Sequence, residues 1–340
     1  MRALARMLML GLVWVEIAAS QTAAPARQAQ AAPGQAVAAG SQTPAARLQI
    51  DSSLVSLDVL LTDKSGRVVQ GLNRENFRVY DNGVAQPLAG FTAAPGPMTI
   101  VILMEFSSAS YGYFAARAAA WSTSFLDYLD PRDWVALVTF DMRTTVKVDF
   151  THNRTEIRDA LTTVAMPSFR EIALYDALTD TLEMLDGVAG KKSILLVATG
   201  ANTFSASTLD EVRKRLQRTD ATIFCVGLAE IESVRLNTMS APYLQAQNTL
   251  RSFARQTGGL ALFPRFEGEL PEIFKSIVGF ERNEYNLSFR IPQASRDGRY
   301  HQLKVQVIGP DGKPLRAADA KGNKKPVEVY ARQGYTAPRQ

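Results

Sequence analysis

The chain has 340 residues, of which 46% are hydrophobic and 21% are charged, a balance typical of a globular protein with a large core. At roughly 150 residues per domain, this length predicts about two domains. The formal net charge is +5, and basic residues are interspersed with acidic ones apart from the run KGNKK at 321–325. We interpret that run as a solvated loop, and we therefore predict no nucleic-acid partner.

The first 20 residues have the pattern of a secretory signal peptide. Arg2 and Arg6 provide a positive start, a short apolar core follows, and Ala18 and Ser20 provide small residues at the spacing of a cleavage site. The apolar core is shorter than the ~20 residues that a membrane span needs. We therefore expect an exported protein (periplasmic, envelope-associated or extracellular) with no membrane span after signal cleavage.

The regions that flank the centre of the chain have different compositions. Residues 21–46 are mainly Ala, Gln and Pro, which predicts a flexible linker because they hold too few large apolar residues to form a core. Residues 47–95 and 283–336 predict short β-strands separated by turns, and FRVYDNGVAQPLAGF predicts two strands around Asn82–Gly83. Neither flank is long enough for a sandwich alone, so we expect one small β-sandwich-like module built from both.

Residues 96–282 alternate apolar runs with helical stretches. The runs MTIVILME, DWVALVTFD, KSILLVATG and ATIFCVGLA are rich in Val, Ile and Leu, and TTVKVDF predicts an edge hairpin strand. Near-continuous apolar strands interleaved with helices predict an α/β fold: a doubly wound, mostly parallel sheet with helices on both faces.

The sequence offers little for catalysis. The turn EFSSAS contains no glycine, so it does not match a phosphate-binding loop. The two histidines, His152 and His301, and the single Cys225 are too few for a four-ligand zinc site, and we expect Cys225 to be buried and inert. A serine hydrolase that uses Ser107 or Ser108 is a remote alternative, since it would need a Gly-x-Ser-x-Gly turn and a paired histidine. We predict that the protein is not an enzyme and has no catalytic residue.

A set of segments in a fixed order carries a family resemblance. MTIVILMEFSSAS, LDPRDWVALVTFD, IALYDALTDTLEML and KKSILLVATGAN together resemble the von Willebrand factor A (vWA) domain. The flanking segments NRENFRVYDNGVAQPLAGF, RDGRYHQLKVQV and ARQGY are similar to the family of secreted bacterial VWFA-related proteins. The resemblance covers nearly everything after residue 47. It implies a doubly wound A domain with a β module, but no established biochemical activity.

The resemblance also implies a divalent-metal site beyond the carboxyl ends of the strands. In vWA domains an Asp-x-Ser-x-Ser turn, a later Thr and a later Asp form this site. The five positions fall here on Glu105, Ser107, Ala109, Ile172 and Thr199. Only Ser107 is a matching ligand, while Glu105 and Thr199 are altered oxygen donors. We therefore predict that Mg²⁺ or Mn²⁺ binds weakly or not at all, with these three as candidate ligands, and we predict no other cofactor.

We predict an exported, non-catalytic, protein-binding module of the adhesion or interaction type with a degenerate metal site. An unidentified protein partner would contact the rim, the surface at the carboxyl ends of the parallel strands, through shape and hydrogen bonds. The alternative is a structural adaptor of the cell envelope, in which the β module docks and the vWA domain is a spacer. The predicted rim residues are Glu105, Ser107, Ser108, Ser110, Asp141, Glu171 and Thr199.

Overall fold

The computed structural model describes residues 54–93, 96–107, 125–163, 169–229, 241–318 and 322–339. The predicted signal peptide, the predicted linker and the predicted rim residues Ser108 and Ser110 lie outside these ranges. None of the helices in the described ranges has the length and apolar character needed to cross a membrane.

The described ranges contain strands and helices in the alternating order that the sequence predicts. The strands, in chain order, are β1 (Leu54–Thr62), β2 (Phe77–Asp81), β3 (Val84–Gln86), β4 (Leu88–Thr92), β5 (Met98–Glu105), β6 (Trp134–Phe140), β7 (Thr144–Thr151), β8 (Lys191–Ala198), β9 (Thr222–Gly227), β10 (Ala261–Leu262), β11 (Tyr285–Arg290), β12 (Tyr300–Val307), β13 (Arg316–Ala318), β14 (Lys324–Pro326), β15 (Glu328–Ala331) and β16 (Gly334–Thr336). The α-helices are α1 (Arg154–Thr162), α2 (Leu174–Met184), α3 (Leu209–Leu216), α4 (Ala241–Thr257) and α5 (Leu270–Arg282).

The central sheet has six strands in the order β10-β9-β8-β5-β6-β7. Five of them are parallel, and β7 pairs with β6 in the antiparallel direction at one edge. β5 and β9 are buried along their whole length. Continuous burial explains why their sequences are mostly apolar, since both faces of such a strand are covered. The predicted doubly wound, mostly parallel sheet is confirmed, including its antiparallel edge strand.

Helices cover both faces of this sheet. Along β5, Ile100 and Ile102 join a hydrophobic cluster with Ile157 of α1 and Ile277 of α5. The intervening Val101 joins a second cluster, on the opposite face, with side chains of α2, α3 and α4. Alternate residues of a strand point to opposite faces, so one strand supplies two cores.

The single cysteine lies in this second cluster. Cys225 is on β9, is fully buried, and forms no disulfide. Burial raises the pKa of its thiol, so the reactive thiolate is disfavoured. The prediction that Cys225 is buried is confirmed, and the raised pKa is consistent with the predicted inert thiol.

The flanks of the chain form two four-stranded antiparallel sheets, β15-β1-β11-β4 and β16-β12-β2-β3. Each sheet combines two strands that precede the central sheet with two that follow it. A shared hydrophobic cluster contains Leu57 and Phe289 from the first sheet and Phe77 and Tyr335 from the second. The predicted β-sandwich-like module from both flanks is therefore present.

The strands around Asn82 and Gly83 differ in one respect from the prediction. Both residues have positive φ, 47° and 83°, as the predicted tight hairpin turn requires. However, the second predicted strand is divided at Pro87 into β3 and β4, which belong to different sheets. Proline has no N–H to donate to a strand ladder, and the chain passes from one sheet to the other at this residue.

A buried lysine–glutamate pair lies where β8 begins and α5 ends. The ammonium of Lys191 is 2.5 Å from a carboxylate oxygen of Glu284, and it also donates to the backbone carbonyl of Glu281. The side chains of Glu281 and Glu284 are almost completely buried. Burial raises the pKa of Glu281 and raises the pKa of Glu284 to about 8, although the Lys191 charge offsets part of this effect.

Glu284 should make the stability of the protein depend on pH. It keeps its proton in the folded protein up to about pH 8 but loses it near pH 4.5 in the unfolded chain. The stabilising contribution of Glu284 to the unfolding free energy is therefore fully present below pH 4.5 and is lost as the pH rises through 8. The unfolding free energy of Glu284→Gln should change less between pH 5 and pH 8 than that of the wild type, by at least about 1 kcal/mol.

Urea denaturation at the two pH values measures this difference. Glu272→Gln is the matched control, because Glu272 is an exposed acid on the neighbouring helix α5. It should keep the wild-type pH dependence. Equal pH dependence in Glu284→Gln and in the wild type would show that Glu284 ionises normally in the folded protein.

Candidate functional site

The candidate site lies at the carboxyl end of β5, where the order of the strands reverses. β5 is flanked by β6 on one side and by β8 on the other. The chain therefore continues from β5 toward one edge of the sheet and from β8 toward the opposite edge. Glu105 is the last residue of β5, and Thr199 directly follows β8. The backbone N–H of Phe106 donates to the carbonyl of Phe140 at 2.6 Å, which holds the start of the turn against β6. A reversal of this kind is the usual ligand position in open α/β sheets.

The carboxylate of Glu105 accepts hydrogen bonds from the two other candidate ligands, Ser107 and Thr199. Its Oε2 accepts hydrogen bonds from the backbone N–H of Thr199 at 2.8 Å and from the Thr199 hydroxyl at 2.7 Å. Its Oε1 accepts a hydrogen bond from the hydroxyl of Ser107 at 3.2 Å. Glu105 and Ser107 are both 0% exposed. These protein donors offset the high cost of burying a carboxylate.

Ile172 occupies the position where the family has a threonine ligand. Its side chain is 5% exposed and belongs to the hydrophobic cluster that contains Phe140 and Ala198. Its backbone N–H donates to the hydroxyl of Thr203 at 2.8 Å, and its carbonyl accepts from the N–H of Thr203 at the same distance. The loop after β8 is thus fastened to the segment before α2, and the hydrocarbon of Ile172 is part of the core.

The loop after β8 also caps helix α2. Ala173 at the N-cap position has no side-chain oxygen, so it cannot bond the first N–H groups of the helix. The N–H of Tyr175 instead donates to Asn202 Oδ1 at 3.2 Å and to Ser205 Oγ at 3.1 Å. The cap therefore comes from a segment about 30 residues further along the chain.

Asp176, in the first turn of α2, supports the same loop. Its two carboxylate oxygens accept hydrogen bonds from the backbone N–H groups of Ala206 and Ser207, each at 2.8 Å. Partial burial opposes ionisation of Asp176, but the hydrogen bonds from Ser207 and Ala206 outweigh it and lower the pKa of the carboxyl. Asp176 thus has a structural role that its two backbone partners explain.

Comparison with known proteins identifies the segment that carries this site. Residues 99–255 match the family model of the von Willebrand factor type A domain. The chain contains a von Willebrand factor A domain. No functionally curated protein matches the chain in sequence.

Several solved structures resemble the chain at low sequence identity. The conserved hypothetical protein BatB from Bacteroides thetaiotaomicron is 13% identical, with a TM-score of 0.41 over 55% of this chain and 99% of that chain. The domain of the type V pili tip protein Mfa5 from Porphyromonas gingivalis is 12% identical, with a TM-score of 0.42 over 55% and 95%. A von Willebrand factor type A protein from Catenulispora acidiphila is 12% identical, with a TM-score of 0.44 over 85% and 75%.

The predicted rim residues of the vWA domain divide into two groups. Glu105, Ser107 and Thr199 come together through hydrogen bonds, and the first two have no exposed surface. Asp141 and Glu171 instead accept hydrogen bonds from neighbouring backbone N–H groups, those of Arg143 and Arg170 respectively. Within the described ranges, no three His, Cys, Asp or Glu side chains converge in a way that could hold a metal ion.

Two aromatic side chains of the vWA rim, one exposed and one half-buried, complete the surface. Phe204, in the loop after β8, is 56% exposed. The guanidinium of Arg143 lies 5.3 Å from the ring centre of Phe169, which fixes a second aromatic side chain near the end of β6. Sequence reasoning missed Phe204 as a surface residue, since the apolar residue itself gave no sign that the loop would expose it.

Proposed function

We propose that the protein is an exported, non-catalytic, protein-binding module whose vWA rim recognises a protein partner without a bridging divalent ion. The main support is the bonding of the Glu105 carboxylate to Ser107 and Thr199. In a metal-dependent vWA domain, oxygens at these positions would point toward a cation. Here three hydrogen bonds within the protein engage both carboxylate oxygens.

The residues at the family's metal positions do not fit a divalent cation. Mg²⁺ requires a near-octahedral set of oxygens, and it commonly takes one or two carboxylates with water. The one carboxylate of this set is buried and accepts three hydrogen bonds, so a cation would have to displace its donors. The position of the family threonine holds Ile172, whose side chain is packed in the core. No step of the proposed recognition therefore uses a metal ion.

The exposed part of the rim has the character of a protein-binding surface. Phe204 offers a large exposed ring, and the exposed Arg143 lies over the half-buried ring of Phe169. Aromatic residues and arginine contribute most of the binding energy at many protein interfaces. The partly exposed Asp141 and the exposed Glu171 add charges beside them. We infer that partner recognition relies on this shape and on hydrogen bonds.

The positions of the histidines support a non-catalytic role. His152 Nδ1 is 3.0 Å from the backbone carbonyl of Asp133, and its ring packs against Trp134. His301 belongs to the β module, where its ring nitrogens lie 2.8 Å from Asp81 Oδ1 and 3.3 Å from Asp297 Oδ1. Both histidines are engaged with partners other than Ser107, so the serine-hydrolase alternative gains no support.

Protein capture from a cell-envelope extract of the source organism tests the proposal. Immobilised wild type should retain the same proteins in EDTA and in Mg²⁺, because recognition does not use a cation. A variant with Phe204→Ser and Arg143→Glu should lose them. Val84→Asp, which changes an exposed residue of the β module, is the control and should retain them.

The pattern of capture also separates the proposal from the structural-adaptor alternative. Loss of capture in Val84→Asp with retention in the rim variant would favour docking through the β module. If EDTA abolished the capture of partner proteins by the wild type, partner recognition at the vWA rim would depend on a metal ion, which would contradict the proposal.

A further inference from the structure

A cleft between helix α4 and the β module is lined by basic side chains. It consists of two adjoining cavities, of about 480 Å³ and about 470 Å³. Both cavities are lined by Arg251 and Arg255 of α4 and by Gln333, which follows β15. We name this feature the basic cleft. Its lining residues do not include any residue of the vWA rim.

The positive charge of the basic cleft is not balanced by acidic residues in its lining. Lys304 and Arg332 line the larger cavity together with Arg251 and Arg255, whereas neither cavity is lined by Asp or Glu. Among the described residues, these four cations do not form an ion pair with a carboxylate. The guanidinium of Arg251 lies instead over the ring of Phe263, at 4.4 Å.

The environment of Arg332 shows that part of this positive charge is shielded from solvent. Burial lowers the pKa of its guanidinium, and nearby carboxylates only partly offset this effect. Its Nε donates to the backbone carbonyl of Gly334 at 3.0 Å, which is a neutral partner. An anion in the cleft would supply the opposite charge that the walls lack, in a setting where charge-assisted hydrogen bonds are strong.

The shape of the walls indicates which kind of anion fits. Within the described ranges, β10 is an edge strand of the central sheet and β15 is an edge strand of the first flanking sheet, and residues of both line the cleft. Apolar residues also line the larger cavity, including Leu260, Val305 and Val329. An extended polypeptide can pair with a strand edge and place apolar and acidic side chains on alternate sides. A phosphate polymer would use the charges but not the edges or the apolar wall.

We propose that the basic cleft binds an extended acidic polypeptide segment, with Arg251, Arg255 and Lys304 contacting its carboxylates. The backbone of the segment lies along the strand edges, and its apolar side chains contact the apolar residues that line the larger cavity. This site is separate from the vWA rim, so the protein can hold two protein segments at once.

Fluorescence anisotropy with a labelled ten-residue peptide of alternating Glu and Val tests the proposal. The full chain should bind this peptide, and Arg251→Glu with Arg255→Glu should weaken binding at least about 10-fold, equivalent to about 1.4 kcal/mol. Lys147→Glu with Lys275→Glu is the matched control, because it changes the net charge equally at exposed positions outside the cleft. The control should bind within about twofold of the wild type.

Three results would overturn the proposal. The first is an absence of binding at millimolar protein, and the second is an equal loss of affinity in the control, which would indicate general charge attraction. The third is tighter binding of a DNA duplex or of phosphatidylglycerol vesicles than of the peptide, which would assign the cleft to phosphate groups. Unchanged peptide binding in the rim variant Phe204→Ser would support a site independent of the rim.

Discussion

Replacing Lys191 by methionine should lower the free energy of unfolding by about 3–5 kcal/mol. The ammonium of Lys191 is in contact with the Glu284 carboxylate and the Glu281 carbonyl, and both acidic side chains are buried. Methionine fills a similar volume but leaves these acids without their cation. Removal of one partner from a buried pair costs more than the pair itself contributes, because the remaining charge is uncompensated. Urea denaturation at about pH 9, above the pKa of about 8 at which Glu284 ionises in the folded protein, measures the loss.

Two further variants test the physical reason for this loss. Lys214→Met changes an exposed lysine on α3 and should alter the unfolding free energy by less than about 0.5 kcal/mol. Lys191→Met combined with Glu284→Met should recover part of the loss, since replacement of both partners removes the unpaired charge. A cost of less than about 1 kcal/mol for Lys191→Met alone would mean that the pair is not buried as the structure shows.

The second large effect concerns Glu105. Glu105→Ala should destabilise the fold by about 2–4 kcal/mol, because it leaves a cavity and removes the acceptor for three hydrogen bonds. Those bonds come from the N–H and hydroxyl of Thr199 and from the hydroxyl of Ser107. Glu105→Gln keeps the shape and one carbonyl acceptor, and its amide can donate to Ser107, so it should cost about 1 kcal/mol or less. Thermal and urea denaturation report both values.

Glu171→Ala is the control for this second effect, because Glu171 is an exposed acid close to the same loop. Its unfolding free energy should lie within about 0.5 kcal/mol of the wild type. Addition of Mg²⁺ should leave the stability of the wild type unchanged, since a ligand stabilises only the state that it binds. If Glu105→Ala were as stable as the wild type, the Glu105 hydrogen bonds would not hold the site together.

Much of the fold could be predicted from local pattern. The apolar run of β5 predicts a strand with both faces covered, and Asn82–Gly83 predicts a turn with positive φ at both residues. The start of α1 follows from Asn153, whose side chain accepts a hydrogen bond from the N–H of Thr155. These features depend on residues that are close in sequence, so periodicity and capping rules are sufficient.

The features that sequence analysis did not predict depend on distant residues. The passage between sheets at Pro87 depends on which strands β3 and β4 meet, and no local rule specifies those partners. Lys191 and Glu284 are 93 positions apart, so neither residue indicates that the other will lie beside it. The basic cleft likewise combines α4 with strands of the β module, and each contributing segment alone has an ordinary charge.

The candidate site also combines features that the sequence predicts with features that depend on distant residues. The replacement of the family's ligands by Glu105, Ile172 and Thr199 could be seen in the sequence. The contact between Glu105 and Thr199, 94 positions away, could not be predicted, because no local pattern indicates which distant residue the carboxylate will meet. The sequence therefore predicted a weakened metal site, and the structure adds the hydrogen bonds that Glu105 accepts from Ser107 and Thr199.

Calorimetric titration with Mg²⁺ tests the central proposal most directly. The wild type should give no saturable heat at millimolar Mg²⁺. A variant with Glu105→Asp, Ala109→Ser, Ile172→Thr and Thr199→Asp, which restores the family's ligand types, should give a saturable isotherm. A tight isotherm in the wild type that Glu105→Ala abolishes would contradict the proposal, because it would show that the Glu105 carboxylate holds a cation.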